Sequence, residues 1–331
     1  MTATYDTVSL FAGPGGLCLA AHANGLRPVG IEFDPDACLT RRAAGLPTIE
    51  GDVRDHSPAD FPDAHTLIGG PPCQTFTVAG NGAGRRALDT VIAAARTMAT
   101  TRTRPARDQW ADERTGLVLE PLWWILNAKD NGHPYRTIVL EQVPAVLPVW
   151  QAYCDLLAWE GYDVHFGRLR AEQYGTPQTR SRAILIASLD GPVTLTAPTH
   201  RPYVKGVDRH EGDPALSTWR SMQDALPDRG PFVAVSNYGT GGDPKNRGRR
   251  SSLVPSATVT GKIFRTRLHG PDGNELPRYT PSEAGLLQGF PADYPWSGRD
   301  IGQQIGNACP VQLGAAVIGA ALAPTRALTA A

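Results

Sequence analysis

Five cysteines in 331 residues, with no Cys-x-x-Cys pair among them, argue against a zinc knot and against a disulfide framework. They are Cys18, Cys38, Cys73, Cys154 and Cys309, scattered along the chain in the way of a protein from a reducing compartment. A cytoplasmic protein with no metal site is therefore expected. No run of eighteen or more apolar residues occurs, so no membrane-spanning helix is expected. Met1 to Asp6 carry no basic segment leading into an apolar core, so no secretory signal is expected. Net charge is also missing: 32 Lys and Arg balance 32 Asp and Glu. A neutral chain lacks the overall basic field that draws nucleic acid. There is no internal repeat, and the Gly-x-Gly-x-x-Gly fingerprint of nicotinamide dinucleotide sites is absent.

The distribution of charge says more than its sum. Between Lys245 and Arg267 lie seven basic residues (Lys245, Arg247, Arg249, Arg250, Lys262, Arg265, Arg267) and no acid. Between Arg85 and Arg107 lie six arginines (Arg85, Arg86, Arg96, Arg102, Arg104, Arg107) against Asp89 alone. Two such segments could track a phosphate backbone, although a run of charge is more often a solvated face. Apolar runs and turn residues predict strands at Thr7–Phe11, Pro28–Glu32, Leu67–Ile68, Thr137–Leu140 and Ala183–Ala187. Helices are predicted at Leu17–Asn24, Asp36–Ala44, Leu117–Ala128, Cys154–Trp159, Pro281–Leu287 and Val311–Leu322. Alternation of the two kinds predicts a doubly wound, mostly parallel sheet. From about Asp190 the texture turns to Gly, Pro, Arg and Thr. The expected division is a first domain over 1–189, completed by 278–331, with a smaller irregular domain over 190–277.

Several turns carry candidate chemistry. Phe11-x-Gly13-x-Gly15-Gly16 joins a strand to a helix, where glycine lets the backbone approach a ligand. Glu32 ends the next strand and could accept hydrogen bonds from both ribose hydroxyls. Asp52, after Gly51, could accept from an adenine amino group. Gly70-Pro71-Pro72-Cys73-Gln74 presents one thiol on a stiff turn at a strand end, a placement that suits a nucleophile. An arbitrary cysteine is more often buried and inert. Glu141 ends a buried strand, where desolvation would favour its protonated form. Arg180 and Arg182 stand two apart before a strand, so they share a side and could hold a carbonyl oxygen, a phosphate or Glu141. Ala79 to Gly84, small and glycine-rich, reads as a loop able to close over a substrate.

Taken in order, these segments resemble the motifs of the cytosine-C5 DNA methyltransferases. Leu10-Phe11-Ala12-Gly13-Pro14-Gly15-Gly16, Glu32, Gly51-Asp52, Gly70-Pro71-Pro72-Cys73-Gln74, Glu141-Gln142-Val143 and Gln178-x-Arg180-x-Arg182 come first. Arg278-Tyr279-Thr280-x-x-Glu283, Leu287-Gln288-Gly289-Phe290-Pro291 and Gln304-Ile305-Gly306-Asn307-Ala308-Cys309-Pro310 follow. The match spans residues 10 to 310, and its target-recognition region would lie between Arg182 and Arg278. Four departures stand out: Ser9 for the usual Asp, Gln142 for the usual Asn, Thr77 for a common Ser, and a longer, Arg-rich Ala87–Trp110.

The resemblance implies a fold, a donor and a substrate. S-adenosylmethionine would be held by Phe11, Gly13, Gly15, Gly16, Glu32, Asp52, Pro72 and Asn307. Cys73 would attack C6 of a cytosine flipped out of duplex DNA, with Glu141, Arg180 and Arg182 as the other catalytic residues. Gln74, Arg85, Arg86, Arg247, Arg249, Arg250, Thr258, Thr260, Lys262 and Arg265 are the candidate DNA contacts. A monomer suits a two-domain clamp. The alternatives are an RNA cytosine-C5 methyltransferase and a non-catalytic DNA-binding protein on the same scaffold.

Overall fold

The computed structural model describes residues 4–72, 83–110, 112–236 and 247–330. Cys73, Gln74 and the 79–82 part of the expected closing loop lie outside the described residues. A seven-stranded sheet forms the centre, built from β1 (Thr7–Leu10), β2 (Pro28–Glu32), β3 (Thr48–Glu50), β4 (Thr66–Gly69), β5 (Thr137–Gln142), β6 (Asp163–Arg170) and β7 (Ser181–Ser188). Its order is β3-β2-β1-β4-β5-β7-β6. The first five strands run parallel, and β7 and β6 pair antiparallel at one edge. β1, β4 and β5 are buried along their whole length, as the inner strands of a covered parallel sheet must be.

Nine helices accompany the described strands: α1 (Gly16–Ala23), α2 (Pro35–Ala43), α3 (Ala83–Thr101), α4 (Glu120–Asp130), α5 (Leu147–Trp159), α6 (Met222–Ala225), α7 (Pro281–Leu287), α8 (Ile301–Asn307) and α9 (Val311–Ala330). Helices α3, α4 and α5 share one core with the sheet, and α1 and α9 share the other. α2 starts where Asp34 accepts the Asp36 amide at 2.9 Å and Pro35 takes the first turn. α7 opens with a reciprocal capping box between Thr280 and Glu283.

Ile301–Leu328 is long and apolar enough to cross a membrane by length and composition, and it contains the helix expected at Val311–Leu322. It is broken into α8 and α9. Leu313, Val317, Ile318 and Ala321 are wholly buried against the sheet and α1, as in a core helix.

Two expectations change. Ala87–Trp110 is not merely a long connection: α3 fills most of it, burying Val91, Ala95 and Met98 at helical spacing. β6, unpredicted, is an edge strand whose exposed and half-buried residues leave no apolar run. A second core lies around a four-stranded sheet of β8 (Val233–Val235), β9 (Arg249–Ser251), β10 (Arg267–His269) and β11 (Glu275–Leu276), in the order β11-β10-β8-β9. It draws Met222, Phe232, Val259, Ile263 and Leu268 together with Tyr279, Leu287 and Ile305. That core therefore spans the expected boundary at 278.

Candidate active site

The C-terminal ends of β1, β2, β4 and β5 open into one cavity of about 590 Å³. It lies where strand order reverses between β1 and β4, the usual binding crevice of an open α/β sheet. The turn after β1 lines it with Phe11, Gly13 and Pro14. This turn is wound tightly: Phe11 has φ 54°, Gly13 φ 53° and Gly15 φ 113°. A left-handed phenylalanine is unusual, and such strain gathers at functional sites. Gly16 is required by packing, since a Cβ there would sit 2.3 Å from the Cys309 carbonyl oxygen.

Glu32 leaves β2 and fixes that turn. Its Oε2 accepts the Gly13 amide at 2.6 Å and its Oε1 accepts the Asp34 amide at 2.8 Å. Burial raises its carboxyl above the ordinary value, with the two backbone amides opposing. Each oxygen keeps a lone pair for a further donor such as a ribose hydroxyl. Asp52 also lines the cavity, and its carboxylate is engaged by Arg54 through Nε at 3.0 Å and Nη2 at 2.5 Å. Burial pushes Asp52 up, but the Arg54 hydrogen bonds and charge leave it below the ordinary value. Pro72 and Asn307 line the same space. Asn307 is exposed, with Oδ1 accepting from Gln303 at 2.7 Å.

At the far side, Glu141 is only 6% exposed. Its Oε2 lies beside the Gly70-Pro71-Pro72 turn, 3.4 Å from where a Gly70 Cβ would be. Arg182 Nε approaches Oε1 to 2.7 Å. The approach makes an ion pair but no aligned hydrogen bond, so Oε1 is buried without a donor. Of the partners expected for the two arginines, Arg182 thus takes Glu141. Gln142 Nε2 donates to the Pro71 carbonyl and its Oε1 accepts the Val143 amide. The longer side chain thereby ties β5 to the turn that leads into Cys73.

Arg180 lines the cavity but its guanidinium is fully buried, donating to the carbonyls of Val259 at 2.7 Å and Gly306 at 2.8 Å. Burial lowers it to about 9, Arg182 adding and Glu141 opposing. Its visible work is to join the second core to α8, so a direct hold on a base falls to its unpartnered Nε alone. Ser9, one of the four departures, is buried in the sheet with Oγ unpartnered and does not line the cavity.

The candidate DNA contacts divide. Arg249, Lys262 and Arg265 are exposed, and Arg247 is half-buried. Arg250 commits Nη1 to Thr179 Oγ1 and to the carbonyls of Pro255 and Ser256. Thr258 Oγ1 donates to the Thr179 carbonyl at 2.9 Å, and Thr260 Oγ1 accepts the Lys262 amide. Arg85 and Arg86 begin α3, and their side chains lie outside the described set. Part of the other basic segment meets acids: Arg102 pairs with Glu160, Arg104 with Glu120 and Arg107 with Asp55. Arg104 is half-buried, whereas Arg102 and Arg107 are exposed. Sequence reasoning missed Phe33, Arg54, Glu113 and Leu117 of the cavity wall. Of these only Phe33, an aromatic directly after the strand-end Glu32 and 74% exposed, carried a signal. Among the described residues no cluster of metal-ligating side chains occurs.

Comparison with known proteins agrees with this geometry. A family profile described as C-5 cytosine-specific DNA methylase matches residues 5–103 and 136–322. A type II methyltransferase of Haemophilus parahaemolyticus, M1.HphI, is 27% identical over 97% of this chain and 87% of its own length. M.MthTI of Methanothermobacter thermautotrophicus, another type II methyltransferase, is 24% identical over 93% of this chain and 94% of its own. Among solved structures, the Dnmt2 methyltransferase of S. pombe superposes with TM-score 0.63 at 18% identity, covering 97% of this chain and 99% of that one. A putative DNA modification methyltransferase from an E. coli prophage gives 0.62 at 18% identity, covering 99% and 100%. With the profile spanning most of the chain, the protein belongs to the C-5 cytosine-specific DNA methylases and is a DNA cytosine-5-methyltransferase.

Proposed function

We propose that the chain transfers a methyl group from S-adenosylmethionine to C5 of cytosine in a short sequence of duplex DNA, with the target base flipped into the cavity. The observation that carries this reading is one cavity holding both the Glu32–Asp52 end and the Glu141–Arg182 pair, beside the turn that runs directly into Cys73. The residues suit the donor. Glu32 keeps acceptor capacity for two hydroxyls, the strained Phe11–Gly13 turn leaves room for an approaching ligand, and the volume falls in the range of small-molecule sites, ~300–1,000 Å³.

When bound, the sulfonium donor supplies an electrophilic methyl group. The protein's task is to make C5 nucleophilic. Cys73 adds to C6 as its thiolate, forming the S–C6 bond and shifting an electron pair toward C5 and N3. Glu141, in the cavity wall, engages the N3 and exocyclic amine edge. Arg182 holds that carboxyl in place and balances its charge. Arg180 positions the wall through Val259 and Gly306. After methyl transfer, loss of the C5 proton to a base returns the electron pair to the ring and expels Cys73. Arg249, Lys262 and Arg265, exposed near the second core, would meet phosphates on this reading.

The test uses wild type and Cys73→Ala with methyl-labelled donor and mixed-sequence duplex DNA, followed by conversion sequencing. Label at C5 in one short motif, lost with Cys73→Ala, is expected. Label on RNA but not on DNA would replace this substrate, and label persisting in the variant would remove Cys73 from the mechanism.

A further inference from the structure

We infer that Arg54 and Glu113 form a latch that holds the Asp52 end of the cavity in its binding shape, making both of them positioning residues for the methyl donor. The inference rests on the reading that this cavity takes S-adenosylmethionine.

Asp52 follows β3 and faces the cavity. Nothing in the local backbone fixes the far end of its carboxylate; Arg54 does. The Arg54 amide and Nε reach Oδ1 at 2.9 and 3.0 Å, and Nε and Nη2 reach Oδ2 at 3.0 and 2.5 Å. A guanidinium with its planar fork can hold both oxygens at once. Its remaining arm, Nη1, pairs with Glu113 Oε1. Glu113 comes from the 3-10 turn Glu113–Leu119, and Leu117 of that turn lines the cavity with it. One half-buried arginine therefore joins the floor of the site, at Asp52, to a wall delivered from about sixty residues further on.

That wall comes from a part of the chain where the family profile finds no match, since matching stops at 103 and resumes at 136. The same part grips the Val53–Asp55 turn from outside. Arg104 Nη1 donates to the Arg54 carbonyl at 2.8 Å, its guanidinium lies 3.6 Å over the Trp123 ring, and Arg107 pairs with Asp55 at 2.9 Å. The turn bearing Arg54 is thus clamped by backbone on one side, while its side chain clamps Asp52 and Glu113 on the other. A ligand entering such a site meets a carboxylate and a wall already placed, and avoids the entropy of ordering them.

The experiment is calorimetric titration of the full-length protein with S-adenosylhomocysteine. Arg54→Ala is expected to raise Kd about ten-fold or more, the scale of losing hydrogen bonds to a charged group. Arg54→Lys keeps the charge without the fork and is expected to fall between. Glu113→Ala removes a half-exposed side chain, so the melting temperature is expected to stay with wild type while Kd rises a few-fold. In the Arg54→Ala background, Glu113→Ala is expected to add nothing. Unchanged Kd in Glu113→Ala, or independent multiplication of the two effects, would overturn the latch and leave the donor reading standing. If wild type takes up no S-adenosylhomocysteine, the donor reading falls and the latch with it. Should Arg54→Ala not fold, Glu113→Ala decides alone.

Discussion

Glu120 offers a test of how this fold carries buried charge. It begins α4, is 4% exposed, and has Oε2 3.1 Å from Arg104 Nε. Burial raises its carboxyl from 4.5 to about 7, although Arg104 and Arg54 pull it down. The folded chain therefore holds this proton more tightly than the unfolded chain does. The stability it contributes is full below the ordinary value, falls as pH rises from about 4.5 to about 7, and is flat above. At about 1.4 kcal/mol per pH unit, the whole span is ~3 kcal/mol, of which ~2–3 kcal/mol lies between pH 5 and pH 8. Glu120→Gln removes this titration. It also leaves Arg104 without a carboxylate, a cost that is the same at every pH. The sign of the difference at a single pH is thus not diagnostic, but its change with pH is. Urea unfolding of both proteins at pH 5 and pH 8, compared as a difference, cancels every other titrating group. The variant is expected to gain ~2–3 kcal/mol on wild type between the two pH values. A difference that stays constant within about 0.5 kcal/mol would refute the reasoning, since no proton would then be linked to folding at this site.

Two further outcomes test the site itself. Glu141→Gln keeps the shape and is expected to leave S-adenosylhomocysteine affinity as in wild type while slowing single-turnover methyl transfer by about 10²-fold or more; parallel loss of both would move Glu141 to the donor end. Gly306→Ala would put a Cβ 2.2 Å from the Gly261 nitrogen and 2.4 Å from the Thr260 carbonyl carbon, backbone atoms that cannot swing aside. It is expected to cost ~1–3 kcal/mol or more. Gly13→Ala meets nothing within 4 Å and pays only for φ +53°, ~1–2 kcal/mol. Melting curves in the reverse order would contradict this packing.

Whatever depends on a few adjacent residues was legible in the sequence. The Phe11–Gly16 turn, Glu32 at a strand end and the proline-stiffened turn before Cys73 are local chemistry at strand ends, and the alternation of strands and helices implies their sheet. Arg180 and Arg182 show where legibility stops. Period two puts both on one side, and both line the cavity, but Arg182 finds Glu141 whereas Arg180 finds carbonyls 79 and 126 residues away. No local pattern separates those fates. The arginines around α3 make the same point: composition suggested a phosphate-tracking surface, yet Arg102 meets Glu160 and Arg107 meets Asp55, acids more than fifty residues distant. β6 escaped for a different reason, because an edge strand needs only half of its side chains apolar.

The spatial order of the site is not the order of its motifs, and that difference fixes how the two cores can move. The turn after β1 packs at Gly16 on the Cys309 carbonyl, so the chain's last motif closes its first. Between them, Arg180 joins Val259 to Gly306, and Gln178 accepts the Val259 amide while donating to the Leu287 carbonyl. Thr179 pairs with Ser256 through its amide. Each bond crosses from the large sheet's rim to the segment entering the second core, and Gly306 approaches Thr260 and Gly261 too closely to admit a methyl group. A hinge at this junction would have to break several buried polar contacts together, each costly to leave unmade. The second core is therefore seated firmly against the cavity, with Glu141, Arg182 and the end of α8 held at one rim.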